Sequence, residues 1–262
     1  PYFLAYEINN SFVRDRVYGN LKAEWQILPD LSLMARYSLD RYNEKRETKM
    51  APSYTKEPNN GAYGIVNMAN FESNADFLAT YIKKLDKFGV SVSAGGHTTY
   101  RKGASISNSS KPSTGLIVPE VYTVSNIKSG SLSYGSSWYQ KAIYSLYGMA
   151  NLSYNSMIYL DLTARNDWSS TLPKESQSYF YPSASLSFLV NEAIDIGSKV
   201  NLLKLRGGWA KVGNDAAPYQ LFPSYGNAGQ WGDATRLGKS GTLLTPNLKP
   251  EEATSIEFGA DL

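Results

Sequence analysis

Apolar and polar residues alternate along most of this chain. Between Val17 and Ile27 one set is Val17, Gly19, Leu21, Ala23, Trp25 and Ile27, and the interleaved set is Tyr18, Asn20, Lys22, Glu24 and Gln26. A strand turns successive side chains to opposite faces, so this run predicts a strand with one apolar and one polar face; a helix would mix the two sets. After Leu28-Pro29-Asp30, a turn in which Pro presets φ, Leu31, Leu33, Ala35, Tyr37 and Leu39 alternate with Ser32, Met34, Arg36, Ser38 and Asp40. The pattern predicts further strands near 74–84, 89–101, 140–154, 156–167, 178–190 and 201–212, and a ninth beginning near Glu252. The third is the least regular, with Leu78 and Ile82 on its polar face and Lys83 on its apolar one.

The connections alternate in length. Short turns are expected at 28–30, 85–88 and 155, a medium one at 168–177 and a short one at 191–200, against long loops at 43–73, 102–139 and 213–251. Loops beyond about 12–15 residues are uncommon in compact soluble domains. Short turns at one end of the hairpins and long loops at the other match a transmembrane β-barrel, with periplasmic turns and extracellular loops. About 9–11 tilted residues cross a bilayer, close to the length of most of these runs. The outward sets are nearly free of charge, while the inward sets carry Lys22, Glu24, Arg36, Asp40, Asp161, Arg165, Lys204, Arg206, Glu257 and Asp261. Outward aromatics fall near strand ends (Trp25, Tyr37, Tyr144, Tyr154, Phe180, Phe188, Trp209), as interface girdles require. The competing architecture is a soluble sandwich, whose strands also alternate but whose turns lack this asymmetry.

Composition narrows the chemistry. The 262 residues include 26 Lys+Arg and 23 Asp+Glu, a net charge of +3, too small for a nucleic-acid footprint. Charged residues make up 19%, below the roughly 25% of soluble domains, and Tyr is abundant at 20 residues. With no Cys and one His, thiol nucleophiles, disulfides, Cys-based zinc sites and paired-histidine metal sites are excluded. His97 beside Gly95-Gly96 reads as structural. No nucleophile elbow, phosphate loop or dinucleotide fingerprint stands in a strand–helix context, so no catalytic residue, cofactor or metal is expected. Asp161, Arg165 and Asp167 read as the wet face of a strand rather than as an acid cluster. Eight aromatics in the expected connections (Tyr54, Tyr63, Tyr122, Trp138, Trp168, Tyr219, Tyr225, Trp231) have the chemistry to stack on a sugar or peptide, or to pack the loops together. The first residues lack the basic and apolar regions of a signal peptide, and the last ones stop inside an alternating run, so the chain reads as a piece of a longer protein.

Several segments are familiar. Arg16-Val17-Tyr18-Gly19-Asn20, Leu152-Ser153-Tyr154 and above all 160–173 (LDLTARNDWSSTLP) resemble SusC/RagA-like TonB-dependent outer-membrane transporters, as do 179–188 (YFYPSASLSF), 203–214 (LKLRGGWAKVGN) and 248–259 (LKPEEATSIEFG). The resemblance implies an all-β fold, an antiparallel transmembrane β-barrel segment of about nine strands out of about 22. On that reading residues 1–262 are one partial barrel domain, with signal peptide, plug and closing strands elsewhere. It further implies a Gram-negative outer-membrane location among lipid, a SusD-like surface lipoprotein lidding the mouth, drive from the TonB complex, and oligosaccharides or peptides as cargo. Arg36, Asp161, Arg165 and Arg206 become the expected lumen residues facing plug or substrate. Tyr63, Trp138, Trp168, Tyr219 and Trp231 become the expected loop contacts to ligand or lid. The alternatives are a non-transporting outer-membrane or secreted binding protein, and a soluble carbohydrate-active enzyme.

Overall fold

A computed structural model describes residues 6, 8–52, 60–111, 115–194, 197 and 202–262. The strands are β1 (Ile8–Leu28), β2 (Leu31–Met50), β3 (Ala62–Leu85), β4 (Phe88–Ser110), β5 (Leu132–Tyr154), β6 (Ile158–Ser169), β7 (Ser178–Leu189), β8 (Lys204–Asn214), β9 (Tyr225–Trp231), β10 (Ala234–Lys239) and β11 (Glu251–Asp261). Nine form one sheet in the order β1-β2-β3-β4-β5-β6-β7-β8-β11, while β9 and β10 pair as a separate antiparallel hairpin. Each strand therefore neighbours its predecessor in the chain, an up-and-down meander with the β9–β10 hairpin inserted before the last strand. The order is open, with β1 and β11 as its edges. Among the described residues no helix is long and apolar enough to cross a membrane.

The nine expected sheet strands are present, but the boundaries of the first five require correction. β1 to β5 run for 21, 20, 24, 23 and 23 residues, about twice what a bilayer needs. The expected loops at 43–73 and 102–139 shrink to 51–61 and 111–131. The reason is physical. Past the lipid both faces meet water, so runs such as Asn43–Met50 and Ser105–Ser110 lose alternation while their backbone pairing continues. The third long loop, 215–250, holds the hairpin, which the pattern did not predict.

Two compact units make up the described chain: residues 1–20, 38–73 and 101–140, and residues 21–37, 74–100 and 141–262. The second unit displays the faces most directly. β5, β6 and β7 align Tyr144, Leu146, Gly148, Ala150, Leu152 and Tyr154 with Trp168 to Ile158, and those with Ser178 to Phe188. The interleaved rows align Tyr147 with Arg165 and Tyr181, Asn151 with Asp161 and Ser185, and Ser145 with Asp167 and Tyr179. The apolar row is uncovered: Tyr144 is 60% exposed, Leu146 61% and Phe180 55%, on strands flanked on both sides. A sandwich would bury this face against a second sheet. An exposed apolar face of this extent on a water-soluble monomer is out of keeping with the few-hundred-Å² patches such proteins tolerate. Lys83, the one charge breaking the apolar row of β3, ion-pairs with Asp30 in the β1–β2 turn, so its charge sits at the short-turn end.

Some tyrosines pack over glycines of the neighbouring strand. A Cβ on Gly95 would lie 2.9 Å from Cζ of Tyr147, and one on Gly213 3.0 Å from Cε2 of Tyr179. Each ring fills space that the neighbouring strand's glycine leaves open, covering otherwise weak strand positions.

The first unit holds an apolar cluster of its own. Tyr63, Leu116 and Ile127 are buried and packed under Ile65 and Tyr122. The Tyr63 hydroxyl donates to Glu47 Oε1 at 2.7 Å. Burial, and then Glu47, push the phenol up to about 12. That hydrogen bond, followed by Lys45, holds the Glu47 carboxyl below its ordinary value. Asn126 closes the 111–131 loop by donating to the carbonyls of Val118 and Val121 while its Oδ1 accepts from the Val118 amide.

Two predictions follow for the full-length protein. Leu162 pairs with Ala150 and Ala184 in the middle of the apolar row, and Thr163 is its neighbour on the opposite face. Leu162→Arg is expected to cost about 2–4 kcal/mol, and Thr163→Arg under about 1 kcal/mol, in urea unfolding of the barrel in lipid vesicles; equal costs would refute the two-faced assignment. For the loop cluster, the depressed Glu47 stabilises the fold above its ordinary 4.5 and loses that contribution as pH falls below it. The raised Tyr63 contributes below its ordinary 10.0 and loses the contribution as pH climbs toward about 12. Protease resistance of the 111–131 loop is expected to fall at both extremes. In Tyr63→Phe it should lose about 1 kcal/mol at pH 7, together with the alkaline arm.

Candidate functional site on the polar face

In the second unit the strand register gathers the polar residues of β2 to β7 into one connected surface. Asp76 on β3 accepts from Arg36 Nε on β2 at 2.9 Å and meets His97 Nδ1 on β4. The other ring nitrogen of His97 lies 2.7 Å from Thr99 Oγ1, which donates to Asn74 Oδ1 at 2.7 Å. Arg165 on β6 donates from Nε to Asp167 at 2.7 Å and from Nη2 to Ser145 on β5 at 2.9 Å, and its guanidinium lies 6.0 Å from the Tyr147 ring centre. Asp167 also accepts from the Tyr181 hydroxyl, and Tyr181 stacks on Tyr179 with centres 5.8 Å apart. Asp161 accepts from Asn151 Nδ2 and, at 3.4 Å, from Ser185. Arg206 lies 3.5 Å from Asp261 across β8 and β11.

Several charges of this face are ion-paired: Arg36 with Asp76 and Arg206 with Asp261 across neighbouring strands, where such pairs stabilise a sheet, and Arg165 with Asp167 along β6. Asp76, Asp161 and Asp167 are each hydrogen-bonded to neighbouring side chains. Among the described residues no group of His, Asp and Glu is placed to hold a metal ion.

Asp215 is a buried anchor that carries no signal in the sequence. It follows β8 directly, is 4% exposed at its side chain, and accepts from Lys141 Nζ at 2.6 Å, from Thr171 at 3.2 Å and from Ser169. At the other end of the 215–250 loop, Ser176 Oγ donates to the Leu248 carbonyl at 2.7 Å. The loop is thus pinned at both bases and projects its hairpin between them. A lone Asp after an alternating run has no distinguishing neighbour pattern; only the fold brings Lys141, Ser169 and Thr171 to it.

The residues singled out by sequence divide clearly. Arg36, Asp161, Arg165 and Arg206 all lie on the polar face. Tyr63 is not an open loop contact: it begins β3 and is buried in the loop cluster. Trp138 and Trp168 are corrected from loop to strand, within β5 and β6, and Trp168 aligns with Tyr144 on the apolar face. Tyr219 and Trp231 are exposed in the 215–250 segment, Trp231 at the tip of the hairpin. Tyr54 lies outside the described residues.

Residues 2–262 match the family model described as TonB dependent receptor-like, beta-barrel. No curated protein matches. Among solved structures, the chain is similar to the RagAB peptide importer in its closed-closed state, with 22% identity and a TM-score of 0.82 over 97% of this chain and 28% of that one. It is similar to the RagAB peptide transporter at 22% and 0.83 (99% and 29%), and to the importer's open-open state at 22% and 0.80 (99% and 29%). At that identity the likeness is one of fold, and the chain spans less than a third of the length of those chains. TonB-dependent receptor barrels are outer-membrane proteins, and the family comprises transporters and receptors rather than enzymes. With the family model matched over residues 2–262, its up-and-down meander and its two-faced sheet, the chain belongs to the TonB-dependent receptor β-barrel family.

Proposed function

We propose that residues 1–262 form a nine-stranded part of the wall of an outer-membrane transporter that imports oligosaccharides or peptides, is lidded by a SusD-like surface lipoprotein, and is driven through the TonB complex by segments outside this chain. The observation that carries the reading is the two-faced sheet: an uncovered apolar row on one side and a continuous, internally paired polar row on the other. Lipid satisfies the first and a water-filled lumen the second.

The polar face is suited to passage rather than to capture. Arg36 and Arg165 are held by carboxylates, so neither presents a bare charge that would trap a polar solute. A guanidinium nevertheless carries five donors, and Arg165 Nη1 makes none of the contacts described above, which leaves it for a plug loop or a passing carbonyl or hydroxyl. Tyr219, Tyr225 and Trp231 offer rings at the long-loop end, where a lid or an entering ligand would meet the wall.

The test is uptake in the native host. Deleting the full-length gene is expected to abolish energy-dependent uptake of one labelled class, peptide or oligosaccharide, and a protonophore should do the same to wild-type cells. Arg165→Gln is expected to slow uptake severalfold while heat-modifiable migration of the barrel is unchanged, and Arg165→Lys to recover part of the loss. Normal uptake of both classes in the deletion strain would leave a binding or adhesion protein instead.

A further inference from the structure

We infer that the polar face of the first unit carries a binding site for a carboxylate of the cargo, built by Arg14 and Arg46 and oriented by the buried Glu44. The inference rests on the transport reading above and deepens it by naming a chemical group that the cargo carries.

The pairing of charges sets Arg14 and Arg46 apart. Tyr18 and Asn20 belong to the polar set of β1, and Arg14 and Arg16 share their parity; Ser38 and Asp40 stand in the same relation to Glu44 and Arg46 on β2. Two ion pairs fix these rows to one face: Arg16 donates from Nε to Asp40 at 2.8 Å, and Arg14 meets Glu44. In the same unit Arg16 has Asp40 and Arg101 has Glu72, one cation to one carboxylate. Glu44 is shared. Arg14 turns Nε and Nη2 to its Oε2 while Arg46 turns Nε to its Oε1. A single carboxylate thus holds two guanidiniums, and one positive charge is left over.

The geometry suits capture of an anion. The Glu44 side chain is fully covered, whereas those of Arg14 and Arg46 are 38% and 58% exposed. The hydrogen bond from Arg46 first, against burial, and then that from Arg14 hold the Glu44 carboxyl below its ordinary value, so it stays ionised and keeps both guanidiniums in place. The Arg14 guanidinium also lies 4.7 Å from the centre of the Tyr42 ring. Orientation is set before a ligand arrives, which reduces the ordering that binding must impose. Both cations line a cavity of about 320 Å³ with Asn10, Phe12 and Thr48, all of the first unit. Asn10 and Thr48 add neutral donors, and Phe12, 67% exposed, adds a flat apolar surface. The cavity's other acid, Glu47, is engaged by the Tyr63 hydroxyl and by Lys45 at 3.1 Å. An entering carboxylate therefore meets two guanidinium forks whose shared counter-ion has both oxygens occupied, and its single charge matches the single surplus. Peptides present such a group at the C-terminus and on acidic side chains, and oligosaccharides present it on uronic acid residues.

The experiment uses the full-length protein purified in a mild detergent and counts bound species by native mass spectrometry. The probes are a tryptic peptide mixture and a mixture of galacturonic acid oligomers, each offered with its carboxylates free or amidated with methylamine. The wild type is expected to retain the free form of one mixture about tenfold more strongly than the amidated form, and which mixture it is identifies the source of the carboxylate. Arg14→Gln/Arg46→Gln should abolish that preference, and Lys128→Gln, a loop cation outside the cavity, should leave it unchanged. Arg14→Lys/Arg46→Lys keeps the charges but loses the forks; it should reduce the preference severalfold, and it decides where the Gln pair does not fold. Heat-modifiable migration checks that each variant is a folded barrel. A wild type with no preference for the free form of either mixture overturns the site, as does a preference undiminished in a folded double variant. Uptake in the deletion strain separates the two levels of failure. Loss of uptake with no carboxylate preference refutes this site alone, whereas normal uptake of both classes refutes the transport reading beneath it.

Discussion

The fold depends on a single constraint: a backbone crossing lipid must satisfy every amide and carbonyl from within the protein. A strand meets that demand only through its neighbours, so the chain cannot rest as isolated elements and instead pairs β1 through β8 and then β11 side by side. The strand's period of two then assigns each residue to lipid or to water. A slip of one residue would present Arg165 and Asp161 to lipid and Leu160 and Leu162 to the lumen, so register is as strongly specified here as in any buried core. The apolar side chains stabilise the protein by the company they keep outside it, which is why so few of them are buried within it.

The lumen side solves a different problem. A wet face lined with ions must not collapse on itself. Pairing of Arg36 with Asp76 and of Arg165 with Ser145 across strands, and of Arg165 with Asp167 along its own strand, spreads the charge into short-range contacts. The tyrosines supply bulk where glycines on the adjacent strand leave room, and their hydroxyls join the same network, as Tyr181 does at Asp167. Rings of this kind present both a flat apolar face and a hydrogen-bonding edge to the wet side.

Alternation made the architecture legible. It gave the nine sheet strands, the two faces and the polar-face positions of Arg36, Asp161, Arg165 and Arg206, because each follows from side-chain period alone. Alternation fails where its cause is absent. Beyond the lipid, Asn43–Met50 and Ser105–Ser110 stay paired with water on both sides, so their sequence resembles loop although their backbone is strand. Trp138 and Trp168 were drawn into loops for that reason, and Tyr63 looked exposed because its burial depends on Leu116 and Ile127, distant in sequence. Asp215 was illegible for a related reason: it is a convergence of three or more segments, and no local pattern encodes which segments meet.

The lengths of β1 to β5 tie these points together. A strand that only spanned lipid would end at its last outward apolar residue, as β6 to β8 nearly do with 12, 12 and 11 residues. Pairing continues past that level in β1 to β5, and the loop between β4 and β5 carries a buried cluster of its own. The polar residues of that extension are then free to follow local needs. They pair across and along strands, as in the Arg14–Glu44–Arg46 cluster. On β2 and β4 the apolar set ends in the sequence at the first charge of the same parity, Arg41 and Lys102, while toward the long loops β3 and β5 continue without one, so the end of the apolar set is marked strand by strand and not by a common signal.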